Sequence, residues 1–116
     1  MTPTARSLKY LREHGWTACV VEKWIPASKA GFKGRIIRKD AFEWGDILAV
    51  NEKRARGAVL VQTTTMAHAA TRVTKAKGNA ALRVWLNCGN VLIVHAWRKL
   101  KGRWTVEERE VRIADL

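Results

Sequence analysis

Between Lys53 and Val106 the chain has no acidic residue at all, although that stretch carries eleven basic ones, among them Arg72, Lys75, Lys77, Arg98, Lys99 and Arg103. Cysteine is almost as scarce. Cys19 and Cys88 stand far apart with no CxxC or CxxH spacing, which excludes a disulfide framework and a zinc ribbon or finger and leaves both as expected small core residues. No apolar run approaches the roughly 20 residues that span a bilayer, and the opening Met-Thr-Pro-Thr-Ala-Arg has no apolar signal region, so no membrane role is expected and an intracellular, cytoplasmic location is. Proline occurs only twice, and internal repeats and low-complexity tracts are missing.

What is present is a foldable, strongly basic chain. Of 116 residues, 47% are hydrophobic and six are Trp, a content that a disordered basic tail does not carry. Residues 1–116 are therefore expected to form one domain around one core. Lys plus Arg number 22 against 10 Asp plus Glu, a net charge of +12 that attracts polyanions, nucleic acid first among them.

Periodicity and breakers predict a helix from Thr4, as N-cap, to His14, stopped by Gly15. A strand is predicted over Trp16 to Trp24, where β-branched and aromatic residues concentrate. The stretch from Ile25 to Trp44 has Pro26, Gly31 and Gly34 and no sustained period, and reads as a long functional loop. Asp46 to Asn51 and Val59 to Thr64 read as short buried strands joined by a polar turn. A helical pattern from Ala67 to Asn87 is interrupted by Gly78, and strands follow over Val91 to Trp97 and Arg103 to Ile113. Apolar runs such as DILAV and VLIVHAW call for cover on both faces, so the expected fold is α/β, a mixed sheet flanked by helices.

Chemistry is expected at the paired strands. Asp46 opens an apolar strand, where a carboxylate is costly unless partnered, and sixteen positions on Gln62 sits inside the next strand, followed by Thr63 and Thr64. Side by side at one end of a sheet, these residues make the oxygen-rich corner that a hard cation such as Mg²⁺ or Mn²⁺ uses. His68 and His95 have no partner at metal-ligand spacing, and His95, within VLIVHAW, reads as a satisfied core group. In the loop, Lys29, Lys33, Arg35, Arg38 and Lys39 are interleaved with Phe32, Phe42 and Trp44, a pattern suited to following a phosphate backbone and stacking an aromatic on an unpaired base.

The order helix, strand, R-K-D ahead of G-D-I-L-A-V, turn, V-L-V-Q-T-T-T, basic helix, strand resembles the core of the PD-(D/E)XK nuclease superfamily. It is similar in particular to the small archaeal Holliday junction resolvases and related phage nucleases. The likeness runs from Ala5 to Trp97, and LKYLREHGW at Leu8 to Trp16 resembles the resolvases' first helix. The resemblance implies a restriction-endonuclease-like αβββαβ core and a metal-dependent, structure-selective endodeoxyribonuclease, acting as a homodimer on branched or duplex DNA. Asp46 matches the metal-binding strand aspartate. Where the family has Glu-x-Lys, this chain has Gln62, Thr63 and Thr64, and the acid of the family's first helix is replaced by Thr4 or a neighbour. Glu22, Asp40 or Glu43 could restore carboxylates, and Arg72 or Lys75, one helical turn apart, could supply the missing cation; Arg72, Lys75 and Lys77 would also meet DNA. Two other readings compete: a nuclease-like fold that binds DNA without cutting it, and a basic protein that neutralises an acidic partner.

Overall fold

The computed structural model describes residues 1–26, 36–54 and 57–116, with backbone alone at 23–26 and 36–39. Helix α1, Pro3–Glu13, starts earlier than expected. Thr2 is the cap, its hydroxyl accepting the Ala5 N–H at 3.1 Å, because Pro3 fits the first helical position, where no N–H is needed. Gly15, at φ +85°, turns the chain after the helix.

The strand expected over residues 16–24 is divided. Strand β1 is Thr17–Val20 and β2 is Lys23–Pro26, and between them the Val21 N–H bonds to the Asp46 carbonyl at 2.9 Å. The long loop expected next is also corrected. Its ends form a second, two-stranded antiparallel sheet, β2 with β3, Ile36–Lys39, in the register Lys23 to Lys39 and Pro26 to Ile36. Four-residue strands leave too short a period to be read from the sequence. Lys29, Phe32, Lys33 and Arg35 lie outside the described residues.

The main sheet has the order β1-β4-β5-β6-β7, with β4 Ile47–Val50, β5 Val59–Thr65, β6 Val91–Leu100 and β7 Arg103–Val111. All neighbours are antiparallel except β5 and β6, which run parallel. Parallel neighbours need a crossover, and here it is a 3₁₀ turn, Met66–His68, followed by α2, Ala69–Ala76, and α3, Ala80–Asn87. Gly78, at φ +75°, separates the two helices, and Asn79 caps the second through a bond from the Leu82 N–H.

Side chains alternate across the sheet, so each strand feeds two cores. On one face Ile47, Ala49, Val59, Val61, Val91 and Ile93 pack with Leu11 of α1. On the other, Leu60, Leu92, Val94 and Val111 pack with Trp44 and with Ala76 and Leu82 of the crossover helices. Complete burial of a Leu or Val side chain stabilises by about 1.5–3 kcal/mol, so both faces are held firmly. His95 is fully buried, its Nδ1 3.0 Å from the Ser7 Oγ, which also accepts the Trp97 indole N–H at 2.8 Å. The cysteines depart from expectation. Cys19 alternates with buried Ala18 on β1 and Cys88 caps α3, and both are exposed.

Candidate metal centre

Two local structures carry acids to one place. The first is a tight turn over residues 41–45, closed by a bridge between Ala41 and Gly45 and by the Gly45 N–H to Ala41 carbonyl bond at 2.9 Å. Phe42 and Glu43 lie in the left-handed region at φ 53° and 59°, an arrangement that costs energy in residues with a Cβ. Trp44 holds the turn down: it is fully buried, and its indole N–H bonds to the Arg72 carbonyl at 3.0 Å. Gly45 is required, because a Cβ there would stand 2.3 Å from the Leu60 Cγ. Asp40 and Asp46 flank this turn and so emerge together. The second structure is the break after β1, where the Val21 bond to Asp46 sets the next residue, Glu22, against the same spot.

Ligand-capable oxygens of Glu22, Asp40 and Asp46 all lie within 4.8 Å of one another. Glu22 and Asp40 are half-buried, and Asp46 is only 2% exposed. Asp46 Oδ2 accepts the Thr63 backbone N–H at 2.8 Å and the Thr63 hydroxyl at 3.1 Å, and Thr63 in turn pairs with the Thr4 hydroxyl at 2.8 Å. A chain of hydroxyls thus runs from α1 to the aspartate. Asp46 Oδ1 is buried with no hydrogen-bond partner among the described residues.

The electrostatics follow from this packing. Burial pushes the Asp46 carboxyl up from its ordinary 3.8 to about 7, the Thr63 N–H opposes the rise, and the charge of Asp40 and the carboxyl of Glu22 add to it. Near neutral pH the cluster therefore favours either a proton or a cation. Its donor set is all carboxylate oxygen, the chemistry of Mg²⁺ and Mn²⁺. One oxygen from each of the three residues would face such an ion from the same small region. The residues fit the cation.

The surrounding cleft, about 330 Å³, lies at the end of β5 and is lined by Thr4, Glu22, Asp46, Gln62, Thr63, Thr64, His68 and Arg72. Gln62 and Thr64 are buried, and the Gln62 Nε2 has no partner among the described residues. Arg72, on α2, is half-buried and its Nε is likewise without one. The structure thus brings Asp46, Gln62, Thr64, Glu22 and Arg72 together, with Asp40 in the carboxylate group. Lys75 and Lys77 go elsewhere: both are exposed and line a separate groove with Phe42, Glu43 and Asn79. Glu43 is exposed and outside the carboxylate group. Arg38 and Lys39 are on β3, and Lys33 and Arg35 are outside the described residues.

Sequence reasoning missed Thr63 as the group that fixes Asp46 and gave His68 no place in the site. A hydroxyl residue beside Gln62 on a strand was the available signal for the first; the second had none, since His68 enters the cleft only through the 3₁₀ turn. No family model, curated protein or solved structure matches the chain.

Proposed function

We propose that the protein is a metal-dependent, structure-selective DNA endonuclease similar to the Holliday junction resolvases. The observation that carries this reading is the convergence of Glu22, Asp40 and Asp46 within 4.8 Å beside Gln62 and Arg72. The sheet topology, two antiparallel pairings followed by a parallel one through crossover helices, agrees with the restriction-endonuclease-like core. The charge of +12 supports a polyanionic substrate.

Glu22, Asp40 and Asp46 would hold Mg²⁺ or Mn²⁺, with the Gln62 amide oxygen as a neutral donor. Such an ion supplies a nucleophilic water at neutral pH and neutralises charge on the phosphate. Thr63, backed by Thr4, keeps the Asp46 carboxylate turned toward Glu22 and Asp40. Arg72, which lines the cleft with an Nε unpartnered among the described residues, would act as a phosphate clamp: its guanidinium can donate two parallel bonds to a phosphodiester and stabilise the charge that builds on it. His68 stands exposed at the rim of the same cleft.

One observation favours a second reading, DNA binding without cleavage. Thr64, at the position that the resemblance matches to a lysine, is buried and brings no ammonium to the cleft. Incubation with labelled four-way junction, flap, single-stranded and duplex DNA in Mg²⁺, Mn²⁺ or EDTA separates the two. Metal-dependent cutting that is lost in Asp46→Ala supports the nuclease; salt-sensitive binding with no product in either metal leaves the binding protein.

A further inference from the structure

The hairpin of β6 and β7 outruns the rest of the sheet. β5 accompanies β6 only as far as Trp97, opposite Thr65, and beyond it Arg98, Lys99 and Leu100 pair with β7 alone and face water. This extension carries Arg98, Lys99, Lys101 and Arg103 and presents Trp104, which is 43% exposed and belongs to neither core. The Arg6 guanidinium of α1 sits 3.8 Å from the Trp104 ring centre, and the Lys99 ammonium lies 5.6 Å from it. Between the hairpin and α1 runs a groove of about 500 Å³ whose walls include Arg6, Lys9, Tyr10, Trp97 and Trp104. Its acid, Glu13, stands 3.9 Å from the Lys9 ammonium. The groove and the carboxylate cleft share the start of the chain: Thr2, Pro3 and Thr4 line the cleft and Met1 and Arg6 line the groove, all within the first turn of α1 or the two residues before it.

We propose that this groove binds an unpaired nucleobase of a DNA strand that continues from the cleft, with the base stacked on the Trp104–Arg6 pair. An indole and a guanidinium plane both offer flat faces to a base, and stacking of this kind accepts any of the four. Lys9 and Lys99 flank the pair and meet the phosphates on either side of the base. An acidic peptide would use the same cations but offers a flat group only where it carries an aromatic residue, whereas every nucleotide brings one beside its phosphate, so the aromatic element favours nucleic acid. Fully paired DNA keeps its bases stacked in the helix and cannot fill the groove, which gives the proposed nuclease a physical basis for preferring branched or single-stranded structure. The inference rests on the DNA-binding half of the proposed function and not on cleavage.

The test is equilibrium binding in EDTA, by fluorescence anisotropy, of a labelled short oligothymidylate and of a blunt duplex. The proteins compared are wild type, Trp104→Ala, Trp104→Phe and Arg6→Ala, each with a wild-type circular dichroism spectrum. Expected is a loss of oligothymidylate affinity of about fivefold to a hundredfold in Trp104→Ala. Trp104→Phe should recover most of it, and duplex affinity should hardly change. Oligothymidylate binding that is absent in wild type, unchanged in Trp104→Ala, or lost in parallel with duplex binding overturns the proposal. Because no metal is present, these results stand apart from whether the carboxylates support cutting.

Discussion

Replacing Asp46 with Asn should stabilise the protein at alkaline pH, in the absence of divalent metal, while removing the proposed metal-dependent chemistry. The folded carboxyl titrates near 7 and the ordinary value is 3.8. Between these values the folded state holds a proton that the unfolded chain has released, so stability falls as pH rises through the window and is lowest above it. At about 1.36 kcal/mol per unit, the full cost of ionising Asp46 in place is on the order of 4 kcal/mol above pH 7, and about 1 kcal/mol near pH 4.5. Asparagine keeps an oxygen for the Thr63 N–H and hydroxyl and offers an amide to the carboxylates of Glu22 and Asp40. Most of the cost should therefore be recovered. For a chain of this length, a gain of about 3 kcal/mol corresponds to a rise in Tm of roughly 10 °C near pH 8.5, shrinking to a few degrees near pH 4.5. The assay is thermal unfolding in EDTA across that pH range, repeated with Mg²⁺, which should raise the Tm of wild type and leave Asp46→Asn unmoved. Equal or lower Tm for the variant at alkaline pH would refute the argument from burial.

Other substitutions separate the parts. Gly45→Ala forces a Cβ to 2.3 Å from the buried Leu60 side chain and should cost about 1–3 kcal/mol, measured by urea unfolding, with loss of Mg²⁺ stabilisation because the turn aligns Asp40 with Asp46. Ser7→Ala removes the shared partner of the Trp97 indole and the His95 ring, and should cost about 2–4 kcal/mol with no change in metal response. Arg72→Ala should leave the Tm near wild type, since Trp44 bonds to its backbone carbonyl, and lower the rate of the proposed junction cleavage by about a hundredfold; a rate within threefold of wild type would remove it from the site.

The part of the site legible in the sequence is the part set by strand pairing. An apolar strand opening on Asp46, a short polar turn and a second strand containing Gln62 permit few arrangements, and alternation then settles which face each residue takes. The helices of the crossover and their break at Gly78 were legible for a similar reason, from period and punctuation. Glu22 was not separable from a surface acid, because its position depends on where β1 stops, and that is decided by a backbone bond from Val21 to Asp46 that no side-chain pattern announces. The hairpin of β2 and β3 escaped for want of length: each strand contributes four residues, too few for a period to stand out from a basic, glycine-containing stretch.

Asp40 shows the same limit from the other side. It lies six positions before Asp46, and whether the two meet depends on a turn with two left-handed non-glycine residues, an arrangement that residue preferences argue against. That turn is imposed by tertiary contacts, the burial of Trp44 and the seat of Gly45 on Leu60. Backbone strain at Phe42 and Glu43 and a carboxylate ionised against its surroundings at Asp46 are both unfavourable, and they occur within five residues of each other. Folding alone gains nothing from either. A cation bound between Glu22, Asp40 and Asp46 would relieve the second and make use of the first, and that shared consequence gives this corner of the fold its strongest physical reason to be read as a metal site.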